Sequence, residues 1–457
     1  MKGDCIGAAR TSLGGKSAVV VGLGRTGISV SRFLRSSGAM VVATDSKDAG
    51  KIEGFDSLLS MGVEVRAGGH EGVGLDGVDL VVVSPGVPSD LALLERAREN
   101  GAEVISEIEL AWRFMDAPVL AIAGTNGKTT ATALLGEVMN KAGFSTFVGG
   151  NIGTPAIEYV EKNGGADFVV LEVSSFQLEN VRHFRPRVGA LLNITDDHLD
   201  RYRDFGHYAE TKMRLFENQS AGDFAVYNAN DPAITGRARL LGCGRAVPFT
   251  LEGRVDEGLF LDGGSIVFRR DGGREEYPVS GIKLKGLHNI ENVMAVIASA
   301  RLSGAERDAV LEALSSFTGL RHRMEVVREK GGITYIDDSK GTNVGALMMA
   351  LRGLKGPVVL IAGGVDKGGD YGVLAGLVKE KVKLMVLIGE ARPKIEKALG
   401  ECCRTVLAGS FEEAVAAAHK NAAPGDTVLL SPACSSFDMF RDYKERGERF
   451  RSLVEAL

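Results

Sequence analysis

The stretch from Gly124 to Thr130, which reads GTNGKTT, contains the residue types that bind the phosphates of a nucleotide. Glycines let backbone N–H groups approach phosphate oxygens closely. In a phosphate-binding loop a lysine reaches the outer phosphates and a hydroxyl ligates Mg²⁺, and Lys128 and Thr129 could fill these roles. The usual spacing, G-x-x-x-x-G-K-[ST], is not met, because only Thr125 and Asn126 separate the two glycines. The stretch therefore predicts a shortened nucleotide-binding loop, and a Gly-containing turn is the alternative.

A carboxylate that could hold a metal ion follows a second apolar run. Phe168 to Leu171 are apolar, and Glu172 comes next. An unpaired charge at such a place would face the core of a sheet, where it is unfavourable. Nucleotide loops of this kind need a metal-holding acid at the end of a neighbouring strand. We predict that Glu172 is this acid, and a structural glutamate in an ion pair is the alternative.

An acidic cluster follows a third apolar run, in LLNITDDHLDRY. Asp196, Asp197, His198 and Asp200 lie within five residues of one another, after what reads as a buried strand. Carboxylates and an imidazole so close together indicate a metal or phosphate site. A solvated acidic loop explains the spacing equally well.

The N-terminal motif GLGRTG has the G-x-G-x-x-G spacing, at Gly22, Gly24 and Gly27. Asp45 ends the next apolar run, 18 residues after Gly27. The motif predicts that a ligand with a diphosphate or a ribose binds there. An NAD-dependent dehydrogenase is one alternative, but it leaves GTNGKTT and Glu172 unexplained.

Two lysines in the C-terminal third follow apolar runs and stand among small and acidic residues. Lys340 lies in DDSKGTN and Lys367 in AGGVDKGGD. Each could contact a ligand, and each could equally belong to a surface turn. A non-catalytic nucleotide-binding module would leave both lysines unexplained.

Parallel sheets must position these residues. Continuous Val-rich runs such as SAVVVGLG, AMVVATD and PVVLIAGG, bounded by glycine and proline, are typical of strands that are covered on both faces. Helix-like stretches such as RTGISVSRFLRSSG and FEEAVAAAHK alternate with them. The pattern predicts doubly wound α/β domains, and a chain of 457 residues has the length of about three. Residues 231–277 carry no recognisable motif.

Composition excludes several classes of protein. The net charge of -5 does not favour nucleic-acid binding, which needs a basic face. The segment MKGDCIGAARTSLGG has no apolar core, and no apolar run approaches the ~20 residues of a membrane span. The five cysteines form no C-x-x-C pair, so we expect reduced thiols. We therefore expect a cytoplasmic protein that binds no nucleic acid.

The motifs together resemble those of the Mur ligases over nearly the whole chain. GTNGK[ST] is this family's own shortened loop. Within the family, LEVSSFQLE together with SPACSSFD resembles the member that adds D-glutamate. The matching stretches are GLGRTG, SPGVP, AGTNGKTT, GGNIGTP, LEVSSFQLE, NITDDHLDRY, HNIEN, HRMEVV, DDSKGTN, GGVDKGGDY and LLSPACSSFDMFRDYKERG.

The resemblance implies an α/β fold of three domains. They are a Rossmann-like UDP-substrate domain (1–108), a central P-loop domain with a mostly parallel sheet (109–319), and a Rossmann-like amino-acid domain (320–457). It also implies an ATP-dependent ligase of peptidoglycan precursor synthesis, whose substrates are UDP-N-acetylmuramoyl-L-alanine and D-glutamate. The implied cofactors are Mg²⁺ at two sites and a carbamylated lysine at Lys212. We expect a monomer.

The resemblance also assigns individual residues. ATP contacts are implied for Gly124, Thr125, Asn126, Gly127, Lys128, Thr129, Thr130, Asn292, Arg323 and Asp338. Metal ligands are implied at Thr129, Glu172, His198 and Lys212. Substrate contacts are implied for Arg25, Thr26, Asp45, Ser46 and Gly86 in the UDP pocket, for Asn151 and Ser174, and for Lys340, Thr342, Lys367, Ser436 and Tyr443 around D-glutamate and the acyl phosphate.

The chain departs from the family pattern in three places. About fifteen residues before the first strand match nothing. Gly341 follows the DSK motif where alanine is expected, and Tyr443 stands where phenylalanine is more familiar. None of these departures removes a charged group. Other Mur ligases and folylpolyglutamate synthase remain alternatives within the family.

Overall fold

A computed structural model describes residues 12–197, 201–284 and 286–457. Contacts between Cα atoms divide the chain into two compact units. The first unit contains the described residues of Met1–Ile194, Gly206–Gly281 and Glu291–Leu314. The second contains those of Thr195–Phe205, Ile282–Ile290 and Ser315–Leu457. The predicted domain limits at 108 and 319 stay predictions.

The N-terminal part of the first unit is a parallel sheet with helices between its strands. The strand order is β3-β2-β1-β4-β5, and each neighbouring pair runs parallel. Crossover connections of this kind bury both sheet faces, and the valines of β1 and β4 are accordingly buried. The elements are β1 (Ser17–Val21), α1 (Arg25–Ser36), β2 (Met40–Asp45), α2 (Phe55–Ser60), β3 (Glu64–Ala67), β4 (Leu80–Val83), α3 (Ala92–Glu99), β5 (Glu103–Ser106) and α4 (Glu107–Phe114).

The first unit contains a second, longer sheet, with strand order β14-β13-β12-β11-β10-β9-β6-β8-β7. The pairs from β12 back to β7 are parallel. Its elements are β6 (Val119–Ala123), α5 (Lys128–Lys141), β7 (Thr146–Gly150), α6 (Ile157–Glu161), β8 (Phe168–Val173), α7 (Ser175–Leu178), β9 (Val188–Leu191), α8 (Phe205–Met213), β10 (Phe224–Asn228), α9 (Pro232–Thr235), β11 (Arg245–Thr250), β12 (Gly258–Asp262), β13 (Ser265–Arg270), β14 (Gly273–Pro278), α10 (Leu287–Leu302) and α11 (Arg307–Ser316).

The region without recognisable motifs, residues 231–277, forms one end of this sheet. It contains α9 and β11, followed by the antiparallel pairs β12–β13 and β13–β14. Gly263 and Gly264 connect β12 to β13 with positive φ angles, as a two-residue hairpin turn requires. The glycine-rich composition of the region therefore reflects turns between strands.

The second unit contains a sheet with strand order β15-β16-β20-β17-β18-β19. Only the β15–β16 pair is antiparallel among the strand pairs of this described unit. Apolar clusters cover both faces of the sheet. The elements are β15 (Glu325–Lys330), β16 (Ile333–Asp337), α12 (Val344–Gly353), β17 (Val358–Gly363), α13 (Ala375–Lys381), β18 (Val382–Ile388), α14 (Arg392–Leu399), β19 (Arg404–Leu407), α15 (Phe411–Asn421), β20 (Thr427–Leu430) and α16 (Tyr443–Ala456).

The two acidic positions that follow apolar runs differ in their relation to the strands. Glu172 lies in β8, one residue before its end, close to the expected strand end. β9 ends at Leu191, so the expectation that this strand ends in the acidic cluster at Asp196 is wrong. Residues between β9 and the cluster make loop contacts instead of strand pairs: Asn193 Oδ1 accepts from the Asn126 N–H, and the Ile194 N–H donates to Asp231 Oδ2.

Two further sequence expectations can be compared with the described residues. No helix among them is long and apolar enough to cross a membrane. Cys243, Cys402, Cys403 and Cys434 are free thiols, while Cys5 lies outside the described range.

We predict that Gly27→Ala destabilises the first unit and that Gly24→Ala does not. A Cβ atom at position 27 would lie 1.8 Å from the carbonyl oxygen of Gly22, whereas a Cβ at position 24 would meet nothing within 4 Å. Overpacking of this kind lowers the free energy of unfolding by about 1–3 kcal/mol. Urea unfolding followed by fluorescence of Trp112, the single tryptophan, measures it. Equal stability of the two variants would contradict the prediction.

Candidate active site

The stretch GTNGKTT forms a loop that connects the buried strand β6 to the N-terminus of α5. Gly124 and Gly127 have φ angles of 152° and 85°, which side-chain-bearing residues rarely adopt. Helix α5 begins at Lys128, directly after Gly127. The N–H groups at the start of this helix have no partners within it, so they can bind an anion. This geometry favours the nucleotide loop over the chance turn.

Asn193, two residues after β9, makes hydrogen bonds to the loop. Its side-chain oxygen accepts a hydrogen bond from the Asn126 N–H at 2.8 Å, and its carbonyl oxygen accepts one from the Thr125 N–H at 2.9 Å. Its amide nitrogen donates to the Asn126 carbonyl oxygen at 3.1 Å. Lys128 Nζ donates to the Thr125 carbonyl oxygen at 2.8 Å. These bonds fix the loop backbone in one conformation.

Glu172 is a buried carboxylate on the strand that neighbours the loop. Strand β8 pairs in parallel with β6, with Glu172 opposite Ile122, and Glu172 is 3% exposed. Its Oε1 accepts a hydrogen bond from Asn151 Nδ2 at 2.8 Å. Its Oε2 is buried and has no hydrogen-bond partner among the described residues. Since a buried charge needs compensation, and hard divalent cations prefer carboxylate oxygens, this atom fits a metal ligand.

Lys212 lies on α8 and is also fully buried, at 2% exposure. Its Nζ donates a hydrogen bond to the Gly124 carbonyl oxygen at 2.9 Å and stands 4.7 Å from the centre of the Tyr208 ring. The Tyr208 hydroxyl is 3.0 Å from Thr125 Oγ1. One turn of α8 therefore brings the lysine and the tyrosine together against the nucleotide loop.

Other predicted residues of the first unit lie on or near the same loop. Asn292 on α10 packs against Gly127, because a Cβ at 127 would lie 2.2 Å from Asn292 Oδ1. Thr129 and Thr130 are buried in the first turn of α5. Ser174 caps the N-terminus of α7, where its hydroxyl accepts from the Gln177 N–H. The structure thus brings together the loop, Asn292 and Lys212.

In the N-terminal sheet, Asp45 supports the backbone of the glycine motif. Its Oδ2 accepts from the Leu23 N–H at 2.6 Å, and its Oδ1 accepts from the Lys47 N–H at 2.8 Å. Thr26 is half-buried in the first turn of α1, while Ser46 and Gly86 are exposed in turns that follow β2 and β4. The glycine motif thus leads directly into the N-terminus of α1, and helix N-termini of this kind favour binding of an anionic group.

Arg25, predicted as a UDP contact, donates instead to the loop between β7 and α6 and to α6 in the same unit. Its Nη1 bonds the carbonyl oxygen of Gly153 at 2.8 Å, and its Nε lies 3.4 Å from Glu158 Oε1. The side chain is 60% exposed. Its contact with UDP stays a prediction.

In the second unit, Asp338 is a carboxyl group with little access to water. It accepts hydrogen bonds from Ser431 Oγ at 2.7 Å and from the Met324 N–H at 3.3 Å. Burial raises the pKa of Asp338 to about 7, although the hydrogen bond from Ser431 and the charge of Arg323 act in the opposite direction. Asp338 follows β16, so it stands at the carboxyl end of a parallel pair of strands.

The residues predicted to contact D-glutamate and the acyl phosphate also lie in loops at the ends of strands in this unit. Lys340 Nζ stands 4.1 Å from the centre of the Tyr443 ring, a cation–π distance. Thr342 follows in the same turn, and its N–H donates to the Lys340 carbonyl oxygen. Ser436 is buried after β20, and Lys367 is exposed after β17. The structure places Lys340 and Tyr443 together.

Residues of the predicted acidic cluster have different outcomes. His198 lies outside the described residues. Asp197 belongs to the second unit, where its Oδ2 accepts from Asn343 Nδ2 at 3.0 Å. Conversely, Asn193 and Tyr208 were not singled out from the sequence, although Asn193 lies in the stretch NITDDHLDRY. The spacing of Tyr208 four residues before Lys212, on one helix face, could have indicated it.

Comparisons with known proteins match this architecture along the chain. Residues 16–106 match the family description "Mur ligase MurD-like, N-terminal domain", residues 122–300 match "Mur ligase middle domain", and residues 322–434 match "Mur ligase, glutamate ligase domain". The chain belongs to the Mur ligase family. The expected α/β fold with three domains is thereby confirmed.

Relatives within the Mur ligase family cover almost the full chain. A protein of Geotalea uraniireducens named UDP-N-acetylmuramoylalanine--D-glutamate ligase is 50% identical over 443 residues, which are 97% of this chain and 98% of that protein. A protein of the same name from Geobacter metallireducens is 49% identical over 446 residues, with the same coverage of each chain.

Solved structures of Mur ligases and related ligases share the fold at low sequence identity. A pseudomurein peptide ligase type C from Methanothermus fervidus is 20% identical with a TM-score of 0.61, covering 96% of this chain and 99% of that one. The UDP-N-acetylmuramate-alanine ligase MurC from Thermotoga maritima is 21% identical with a TM-score of 0.59 and the same coverage. These likenesses concern the fold alone.

We predict that Asp338→Asn stabilises the chain most at high pH. The folded-state pKa lies near 7, above the unfolded value near 4. The native state therefore binds the extra proton, and wild-type stability falls as pH rises between these values. Calorimetry of the full chain should show that the advantage of Asp338→Asn is largest above pH 7 and shrinks toward pH 4.

Asp442→Asn provides a control of opposite sign. Hydrogen bonds from the Glu445 and Lys444 N–H groups lower the pKa of Asp442 at the start of α16. This group stabilises the fold above its unfolded pKa and loses that contribution as pH falls, so Asp442→Asn should be most harmful near neutral pH. A pH-independent difference for Asp338→Asn would contradict the assignment of the raised pKa.

Proposed function

We propose that this chain joins D-glutamate to UDP-N-acetylmuramoyl-L-alanine, with ATP as the energy source, in the synthesis of peptidoglycan precursors. The observation that carries the proposal is the name shared by relatives at 47–50% identity over nearly the full chain. The nucleotide loop beside a buried, partly unpartnered Glu172 supports it independently. ADP and inorganic phosphate are the other products.

The chemistry requires an activated carboxylate. An oxide is a poor leaving group, so the carboxylate of the L-alanyl group does not react with an amine directly. Transfer of the γ-phosphoryl group of ATP gives an acyl phosphate; the D-glutamate amine attacks its carbonyl carbon, the amide forms and phosphate leaves. The enzyme supplies orientation and charge neutralisation.

The first unit provides the nucleotide-binding part of this chemistry. Backbone N–H groups of residues 127–130, at the N-terminus of α5, bind the phosphates, and Lys128 neutralises their charge. Asn292, packed on Gly127, contacts the adenine, while Asp45 and the glycine motif bind the UDP part of the substrate. In the second unit, Arg323 and Asp338 contact the nucleotide. Residues assigned to D-glutamate and the acyl phosphate are Lys340, Thr342, Lys367, Ser436 and Tyr443.

Mg²⁺ is held mainly by oxygen ligands in this proposal, with one histidine nitrogen. Bound Mg²⁺ neutralises phosphate charge during transfer. Glu172 fits a ligand because its Oε2 is buried without a partner among the described residues, and the Thr129 hydroxyl lies at the start of α5. His198, although outside those residues, completes the proposed set, and two metal sites are proposed.

We also propose that Lys212 is carbamylated by CO₂. A free ammonium near two divalent cations would be repelled, whereas a carbamate is an anion with two oxygens. The modified nitrogen keeps one N–H, which can maintain the bond to the Gly124 carbonyl oxygen. The expected monomeric state likewise stays a prediction.

We predict that D-glutamate alone among the candidate amino acids supports turnover. Its two carboxylates require cations and aligned donors, which Lys340 and Lys367 would supply. Phosphate release should be measured with ATP, UDP-N-acetylmuramoyl-L-alanine and D-glutamate, L-glutamate, L-alanine or a diamino acid in turn. Release with a diamino acid and none with D-glutamate would refute the proposed function.

Lys212→Ala should nearly abolish ligation while the chain still folds, and an added small carboxylic acid such as acetate should restore part of the rate. The acid can enter the space that the shortened side chain leaves. Lys212→Met is the matched control, because its stem fills that space and leaves no room for rescue. Folding is checked by Trp112 fluorescence. A wild-type kcat for Lys212→Ala in bicarbonate-free buffer would exclude the carbamate.

A further inference from the structure

Arg25 joins the glycine motif to the loop between β7 and α6 and to α6 itself. It is the first residue of α1, so it stands beside the helix N-terminus where the UDP diphosphate is proposed to bind. Its Nη1 donates to the Gly153 carbonyl oxygen at 2.8 Å, and its Nε lies 3.4 Å from Glu158 Oε1. The contact ends on the loop between β7 and α6.

That loop, residues 150–154, lies against Glu172. It is closed by a bond from the Gly150 N–H to the Thr154 carbonyl oxygen at 2.8 Å. Asn151 makes two bonds to Glu172: its N–H donates to the carbonyl oxygen and its Nδ2 to Oε1, both at 2.8 Å. A Cβ at position 150 would lie 2.4 Å from the Glu172 carbonyl oxygen, so only glycine fits where the loop starts beside Glu172.

These contacts form one continuous path from the N-terminus of α1 to the metal-holding carboxylate. Arg25 fixes Gly153, the closed loop fixes Asn151, and Asn151 orients Oε1 of Glu172. The orientation of Oε1 determines where the unpartnered Oε2 points. A hydrogen bond from a charged donor is strong enough to shift such a loop equilibrium several-fold.

We propose that Arg25 is a positioning residue that couples the UDP site to the metal site through the 150–154 loop. The inference rests on the proposed function for the identity of the two ligands. A diphosphate at the N-terminus of α1 orders Arg25, which orders the loop and thereby the Glu172 carboxylate. Because coupling between two bound ligands is reciprocal, the metal ion strengthens binding of the diphosphate equally.

Arg32 provides a matched control on the same helix. It also joins α1 to α6, through an ion pair from Nη2 to Glu161 Oε2 at 3.0 Å. Among the described residues its other bond is to Ser29, so it does not contact the 150–154 loop. Arg32→Met therefore removes a similar ion pair between α1 and α6 without removing the bond to Gly153. Comparison of Arg25→Met with Arg32→Met thus distinguishes the packing of α1 on α6 from the positioning of the 150–154 loop.

Hydrogen exchange of a peptide that spans residues 147–156 tests the coupling directly. UDP, which supplies the diphosphate alone, should slow exchange of this peptide in the wild type and in Arg32→Met. It should leave exchange unchanged in Arg25→Met, and Arg25→Lys, which keeps one donor, should restore part of the protection. UDP protection that persists in Arg25→Met, or is absent from the wild type, would overturn the proposal.

Mn²⁺ binding provides the second readout. The full-length protein is titrated with MnCl₂ without nucleotide, and the unbound ion is followed by electron paramagnetic resonance. Arg25→Met should bind Mn²⁺ about fivefold more weakly than the wild type, as expected for loss of one charge-assisted bond, and Arg32→Met within about twofold of it. Equal weakening in both variants, unchanged binding in both, or no binding by the wild type would each overturn the proposal.

Neither readout uses ATP or D-glutamate. The coupling can therefore fail while D-glutamate still supports phosphate release. Conversely, phosphate release with another amino acid would refute the proposed substrate and leave the coupling between UDP and Mn²⁺ intact. Thermal unfolding of each variant is the folding control, and the 60% exposure of the Arg25 side chain makes a large loss of stability unexpected.

Discussion

The carboxylate of Glu172, enclosed in a parallel sheet, sets the main constraint on the first unit. One of its oxygens is bonded by Asn151, and the other is buried without a partner among the residues described. A charge in that position is stable only if neighbouring groups or a cation compensate it. The parallel pairing of β8 with β6 places this requirement beside the nucleotide loop, so one cation can satisfy both the carboxylate and the phosphates.

The nucleotide loop could be predicted from sequence because its determinants are local. Gly124, Gly127 and Lys128 are close in the chain, and their roles follow from backbone geometry and helix polarity. The groups that hold the loop could not be found in this way. Asn193 and Tyr208 are 67 and 83 positions away from their partners, and only the folded sheet brings them there. Arg25 shows the same limit, since its partner Gly153 is 128 positions away.

The general fold was predictable for a related reason: buried parallel strands read as continuous apolar runs. Short strands with exposed residues, such as β3 and β19, give no such run and cannot be assigned by this criterion. Glu172 also shows why strand ends are difficult to place. Apolar character stops at Leu171, but backbone pairing continues to Val173, because pairing depends on backbone groups and not on side-chain polarity.

The departure at Gly341 has a structural reason. A Cβ there would lie 2.4 Å from Asp338 Oδ2 and 2.9 Å from Ser431 Oγ, which themselves form a hydrogen bond of 2.7 Å. Glycine at this position therefore permits the arrangement in which Ser431 donates to Asp338. Tyr443, the other departure at a single position, still presents an aromatic face to Lys340. Both differences change the packing next to Asp338 and Lys340 and leave these two charged residues in place.

Backbone recognition of phosphate has a consequence for inhibitor resistance. The donors proposed for phosphate, in residues 127–130, are main-chain N–H groups, and no codon change except one to proline removes such a group. Gly124 and Gly127 cannot acquire larger side chains that would block the loop, because both have positive φ angles and a Cβ at 127 would overlap Asn292. A compound that accepts hydrogen bonds from these amides would leave few single substitutions by which this protein could escape inhibition.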